Sequence, residues 1–349
     1  ATLAYMLWDT AYTLCDVPIF GIVTTMTLDQ KERVSLNSIG RIFAIFAGIV
    51  TGILLPLVRQ SLGGWATTVI VLSILSAAMM IPMCLFAKER VIEREKARDG
   101  GAEENYTLRD MVECLRSNKY LLIFFAAPLI SSLLNVGATW GLYIARYCLG
   151  GEEIASFVSM AVIVPTLIGA AIAVQLCKKY DKFKIFYFSY MFALILGIVR
   201  YIAGYENMMV YVILNALGGF PLGIAAILQY QFTPDCYEYG QYKTGLKMRG
   251  VTFAAQTFFT KLNGAIATAV SVFALTLIGF KEGEGVIQAA GFADKLWTFS
   301  CLGSIIGGIG TLLILRLYKL NDHDVQLMSK CNNGEITREE AEAQMINRY

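Results

Sequence analysis

The chain has a single histidine, His323, and it lies in a polar C-terminal stretch. That leaves no Ser–His or Cys–His pair for nucleophilic catalysis and no histidine-based zinc site. Eight cysteines are present, but none stands in C-x-x-C spacing, and Cys15, Cys84, Cys177 and Cys301 fall inside apolar runs, where a free thiol behaves as a small buried hydrophobe. Charge is scarce too. Only 16% of residues are charged, against about 25% in soluble domains. The net charge of +2 is itself uninformative, and no nucleic-acid partner is expected.

What replaces charge is apolar residue, 56% of the chain, gathered into long runs rather than spread at amphipathic spacing. Nine runs are long enough to cross a bilayer: 3–28, 38–58, 66–87, 120–145, 153–177, 183–203, 207–232, 251–280 and 296–318. Peptide groups in hydrocarbon must pair within their own segment, so an all-α polytopic membrane protein is expected. Of the 29 lysines and arginines, all but Arg59, Arg146, Arg200, Lys261, Lys281 and Lys295 fall in alternate connections. The basic connections mark the cytoplasmic side, which places residue 1 outside and the C-terminus inside, in a multi-pass plasma (inner) membrane protein. A chain that opens almost inside an apolar run, without an initiator methionine, is expected to lack an odd number of preceding spans. Three more would give twelve, with both termini inside.

The organisation follows from the connectors. Residues 1–87 form the remainder of an N-terminal bundle, 88–118 a central cytoplasmic loop, 119–319 a C-terminal bundle and 320–349 a cytoplasmic tail. Within the central loop, Thr107-Leu108-Arg109-Asp110 resembles a capping box and predicts a short amphipathic helix over 108–117. No connector exceeds about 32 residues, so there is no room for a soluble signalling module, and no catalytic set lies at helical spacing. A transporter is expected, not an enzyme, and it needs no cofactor beyond a coupling ion.

Two ionisable residues stand inside apolar spans, where a charge costs ~2.5–3.5 kcal/mol on insertion scales and marks a functional site by default. The first is Asp16. At about 100° per residue it shares a face with Asp9, Tyr12, Thr13 and Phe20, a mixture of carboxylate, phenol, hydroxyl and aromatic that suits a polyhydroxylated ligand. Pro18 predicts a kink beside it. The second is Lys261, on a face with Thr257, Thr260, Gly264 and Thr268 and with Gln256 at its edge. Both lie at similar depth, roughly 15 Å from the cytoplasmic end at 1.5 Å per residue. An acid and a base facing each other across a cavity is one reading; an ion pair that locks two helices is the other. Arg41 reads either as a positive-inside anchor or as a ligand contact.

Longer signatures narrow the choice. The run Trp8-Asp9-Thr10-Ala11-Tyr12-Thr13-Leu14-Cys15-Asp16-Val17-Pro18, then Leu28-Asp29-Gln30-Lys31-Glu32-Arg33, then Arg41-Ile42-Phe43-Ala44, resembles helices IV–V of the glycoside–pentoside–hexuronide:cation symporter family, of which melibiose carriers are members. Pro234-Asp235-Cys236-Tyr237-Glu238-Tyr239-Gly240 and the run from Gln256 to Lys261 resemble its helix X–XI loop and helix XI. The resemblance covers essentially the whole chain and implies a major-facilitator-type fold of two six-helix bundles, with about nine of the twelve helices present from helix IV onward. It implies symport of a sugar, glycoside or hexuronide with Na+ or H+ by alternating access. A same-fold transporter of an amphiphile or organic acid is the alternative.

By the same resemblance, Asp16, Tyr12, Phe20, Arg41, Gln256, Thr257 and Lys261 match substrate-binding positions. Thr13 joins the cation site, whose other ligands belong to helices I–II, and Lys261, Asp235 and Glu238 serve coupling and gating. Implied partners are a small-molecule sugar, a monovalent cation and membrane lipid. Two departures stand out: Phe20 replaces the tryptophan of melibiose carriers, and the X–XI segment is less acidic than theirs.

Overall fold

The computed structural model describes residues 65–87, 108–151, 153–247, 249–281 and 288–349, together with scattered positions between 7 and 47. Every element among the described residues is helical. The chain divides into two units, one of residues 19–105 and one of residues 1–18 with 106–349.

In the smaller unit the described element is α1, Trp65–Phe86, with Pro82 inside its last turns. Its sequence is apolar all round, as a span through lipid requires. In the larger unit α2 covers Leu108–Ser117, the amphipathic linker helix expected from the sequence; the capping residue Thr107 lies outside the described residues. The order continues with α3 (Lys119–Leu134), a 3-10 turn (Val136–Thr139), α4 (Gly141–Tyr147), α5 (Glu153–Leu176), α6 (Lys182–Ala203), α7 (Met208–Leu228), a 3-10 turn (Gln229–Gln231), α8 (Phe232–Thr244), α9 (Arg249–Leu277), α10 (Phe292–Leu315), α11 (Asp322–Asn332) and α12 (Arg338–Gln344). Five helical stretches among the described residues are long and apolar enough to cross a membrane: α5, α6, α7 continued through α8, α9 and α10. Shorter apolar helices occupy Thr67–Pro82 and Lys119–Leu134.

Three sequence expectations are corrected here. The run 120–145 is not one helix: it breaks at Asn135, whose backbone N–H returns to the Ser131 carbonyl at 2.7 Å while its Oδ1 accepts from the Ser304 hydroxyl at 2.7 Å. The apolar pattern runs straight through the break, and only the bond to α10 reveals it. The X–XI segment, expected as a loop, is helix α8. Pro234 is tolerated because it stands in the first turn, where its missing N–H leaves no intrahelical bond unmade. Gly245 ends the helix in the left-handed conformation (φ 76°), its N–H bonding the Gln241 carbonyl at 2.7 Å. The tail, expected only as a polar extension, folds into α11 and α12, the latter opened by a capping box of Thr337 and Glu340.

Helix packing in the larger unit uses small residues where backbones meet. Gly219 and Gly223, four apart on α7, face α5 so closely that a Cβ at either position would overlap the carbonyls of Val162 and Thr166. This is a small-x-x-x-small contact of the kind that joins helices in lipid, where apolar burial gives little drive. Two cores flank the bundle. At one end Val136, Trp140, Tyr211, Leu296 and Trp297 are buried together, and Trp140 donates its indole N–H to Ser271 at 2.9 Å. At the other end Phe232, at the start of α8, packs against Phe124, Phe186 and Tyr318, with ring centroids at 5.0, 4.9 and 5.5 Å. Such pairs add ~0.5–1.5 kcal/mol each beyond area burial.

Candidate functional site

α9 has two faces. On one, Phe259 stacks on Phe125 of α3 at 4.8 Å and Asn263 Oδ1 accepts from the Ser132 hydroxyl at 2.5 Å, which fixes the helix against α3. Lys261 lies half a turn away at about 100° per residue. It is half-buried, and its Nζ sits 5.3 Å from the centroid of the Tyr12 ring. Both residues belong to the larger unit. At that distance the ammonium is attracted by the ring quadrupole, by ~0.5–1 kcal/mol when exposed and ~2 when desolvated. Tyr12 remains 49% exposed. One turn beyond Lys261, Gly264 leaves open space where a Cβ would stand. Lys261, the Tyr12 ring and the space at Gly264 thus stand together on this side of α9.

The neighbouring predicted residues are placed differently. Gln256 and Thr257 are both buried, each 4% exposed. Thr257 donates to the Phe253 carbonyl at 3.4 Å, so its hydroxyl is engaged locally. Gln256 Oε1 is buried without a hydrogen-bond partner. An amide oxygen left in that state costs about 1–3 kcal/mol. Asp16, Thr13, Phe20 and Arg41 lie outside the described residues.

Asp235 and Glu238 are on α8, and both are 4% exposed. Asp235 accepts from Lys182 Nζ, with N···O contacts of 2.8 and 2.7 Å, and the same ammonium reaches Asp322 of α11 at 2.9 Å. Lys182 stands at the first position of α6, where Asp181 caps the helix by accepting from Phe183 N and Lys184 N. The lysine's own backbone N–H donates to Asp322 at 3.0 Å, and Asp322 N donates to Asp181 at 2.8 Å. Three helices thus meet on one cation. Glu238 accepts from Asn332 Nδ2 at 3.0 Å, and the same amide reaches the Glu238 carbonyl at 2.9 Å. Asn118, between α2 and α3, caps α3 and donates to the Cys236 carbonyl at 2.6 Å. Tyr242 donates to Glu342 of α12 at 3.0 Å, with Arg338 stacked 4.8 Å above its ring.

The tail is tied down at Asp324, which is fully buried and accepts from Ile346 N (2.8 Å), Asn347 N (3.1 Å), Asn321 Nδ2 (2.7 Å) and the Tyr349 hydroxyl (2.7 Å). Burial alone would raise this carboxyl, but the hydrogen bonds favour the charged form and hold it below its ordinary range. The same bond pushes the Tyr349 phenol well above its usual value, after burial, which is the larger cause. Asp322, Asp324 and Asn332 were missed by sequence reading because they sit in what reads as a polar tail. Lys182 was counted among the cytoplasmic anchors. The cluster Asn321-Asp322-His323-Asp324 beside the last span was the available signal.

A cavity of about 750 Å³ opens elsewhere in the larger unit, among α3, α4, α5, α6, α7 and α10, with Arg200 and Asn215 on its wall. None of Gln256, Thr257, Lys261, Asp235 and Glu238 lines it.

The provisionally named glycoside/cation symporter YagG of Escherichia coli (strain K12) is 25% identical over 341 residues, covering 95% of this chain and 72% of that protein. The inner membrane symporter YicJ of the same organism is 22% identical over 334 residues, covering 93% of this chain and 71% of the relative. A lactose permease of Lactobacillus helveticus is 25% identical over 335 residues, covering 90% of this chain and 48% of its own length. The chain therefore spans between about half and about seven tenths of these relatives. With apolar spanning helices on the page and the MFS/sugar transport protein family matching residues 1–322, the chain belongs to that family.

Proposed function

We propose that this chain works in cation-coupled symport of a sugar, glycoside or hexuronide, by alternating access between two helical bundles. The observation that carries the reading is Lys261, held on the open face of a spanning helix with the Tyr12 ring 5.3 Å away. A cation kept at that depth, with an aromatic face beside it, supplies what a sugar ring requires: a donor for its oxygens and an apolar plane for its C–H surface. The names of the relatives, a glycoside/cation symporter and a lactose permease, support the substrate class.

In this reading Tyr12, Asp16, Phe20, Arg41, Gln256, Thr257 and Lys261 are the residues that contact substrate. Thr13 joins the Na+ or H+ site. Asp235 and Glu238 act at a distance, through the bonds that hold α8 to α6 and the tail. The basic connections put α8, α11 and α12 at the cytoplasmic side of the plasma membrane. The test is uphill uptake in vesicles reconstituted with the protein expressed from its complete gene. An inward Na+ or proton gradient should drive accumulation of a labelled glycoside above equilibrium, with cation and sugar each raising the other's apparent affinity. Uptake that only equilibrates, whatever gradient is imposed, would refute coupling.

A further inference from the structure

Three helices that are long and apolar enough to span end beside one another: α5 at Leu176, α6 at Lys182 and α10 at Leu315. The connections that leave these ends, together with Ile346 and Asn347 of the tail, line a cleft of about 510 Å³. That is the size of a small-molecule site. Because the cleft lies at the ends of spanning segments, it stands at the height of lipid headgroups, on the cytoplasmic side by the run of basic connections.

Free charge in the cleft is of one sign. Lys178, Lys179 and Lys184 reach it from the α5–α6 connection and Lys319 from beyond α10, and all four are exposed. Among the described residues no ion pair joins these ammonium groups to a carboxylate. The two carboxylates on the wall are already committed. Asp181 accepts from the backbone N–H groups of Phe183, Lys184 and Asp322. Asp322 accepts from the Lys182 N–H and meets the buried Lys182 Nζ at 2.9 Å. His323, also on the wall, faces the buried Asp324 at 3.3 Å. Lysines that only anchor helix ends have no need of a shared hollow, whereas four cations gathered around one repel each other until an anion enters.

The rim says where that anion comes from. Tyr180 and Ile346 both line the cleft and both are largely exposed. A tyrosine and an aliphatic side chain left bare beside lysines at a helix end match the interfacial zone of a bilayer, which is apolar on one side and wet on the other. A free phosphate would answer the ammonium groups and leave both of these side chains uncovered.

We propose that this cleft binds the phosphodiester headgroup of an anionic phospholipid, held by Lys178, Lys179, Lys184 and Lys319, with the glycerol side of the lipid against Tyr180 and Ile346. None of Gln256, Thr257 and Lys261 lines the cleft. Only the choice of leaflet rests on the orientation proposed above, and lipid binding is read independently of any transported solute.

Native mass spectrometry tests the assignment on the protein expressed from its complete gene, titrated with dioleoyl-phosphatidylglycerol or dioleoyl-phosphatidylcholine and challenged with inorganic phosphate. The anionic lipid should bind at least tenfold tighter than the zwitterionic one. Lys178→Gln with Lys319→Gln should cut phosphatidylglycerol affinity at least tenfold, at about fivefold per lysine, and leave phosphatidylcholine binding as it was. Both side chains are exposed, so the double variant keeps the fold. Lys243→Gln with Lys330→Gln removes the same charge from exposed positions outside the cleft and should change affinity by less than twofold. Equal binding of the two lipids would overturn the proposal. So would equal loss in the two double variants, which would make the attraction diffuse, or displacement of the lipid by millimolar inorganic phosphate, which would make the site one for a soluble anion.

Discussion

The α8 elbow and the Lys261 face of α9 are adjacent in sequence and opposite in design. Around α8, charge is taken out of water and paired: one lysine serves two carboxylates, one asparagine serves Glu238 twice, and Asp324 accepts from Ile346, Asn347, Asn321 and Tyr349. Along α9, polar groups are held with room beside them: an exposed Tyr12 ring under Lys261, open space at Gly264, a buried Gln256 oxygen without a hydrogen-bond partner among the described residues. The first arrangement resists change, because any single loss strands a buried partner. The second holds fewer such buried pairs.

The largest effect should follow from breaking the support. Lys182→Met leaves Asp235 and Asp322 without their cation, and removing one partner of a buried pair costs ~3–5 kcal/mol. The variant should lose most of its thermal stability in detergent, with α6, α8 and the tail losing hydrogen-exchange protection together. If it melts like wild type yet transports poorly, the triad is a gate rather than a clamp, and Asp235 and Glu238 act by opening.

A smaller loss is expected at Asp324. Asp324→Ala strands buried donors from Ile346, Asn347 and Tyr349, at ~1–3 kcal/mol, and should free residues 320–349 for proteolysis while transport persists. The sign of the pH dependence follows from the lowered carboxyl. Its contribution is complete above the ordinary aspartate value of 3.8 and is lost as pH falls through the lower folded value. The tail should therefore stay docked at pH 5 and release only in stronger acid; release near neutrality would contradict the pairing.

These contrasts explain what the sequence revealed and what it hid. The α9 stripe was legible because Lys261 interrupts an apolar run and its neighbours repeat at helical spacing, a signal contained within one element. The linker helix 108–117 was legible for the same reason. The α8 helix was not: Phe232-Thr233-Pro234-Asp235 reads as a turn, and what makes it a buried helix is aromatic packing on Tyr318 and a salt bridge to a lysine 53 positions away. The tail helices were hidden likewise, since Asp322 finds Lys182 across 140 positions. The break at Asn135 depends on Ser304, 169 positions downstream. Local periodicity marks a candidate face on a span, whereas long-range polar pairing leaves no local trace.

The smallest effect belongs to the aromatic face. Tyr12→Phe keeps the ring under Lys261 and should change sugar affinity less than Tyr12→Ala, which removes a cation–π contact worth ~0.5–1 kcal/mol at a partly exposed site. That is a two- to fivefold change in apparent binding constant by the tenfold-per-1.4 kcal/mol relation. Equal affinities for the two variants would mean that the phenol oxygen, not the ring, is what the ligand meets.

The account turns on Lys261, and one comparison of fluxes tests it. In vesicles holding the protein expressed from its complete gene, Lys261→Leu removes the charge and keeps an apolar side chain on α9. Gradient-driven accumulation of sugar should fall by more than tenfold while equilibrium exchange of the same sugar falls far less, because exchange does not require the empty carrier's charge to reset. Equal loss of both fluxes, or loss of neither, would contradict the role assigned to this face of α9.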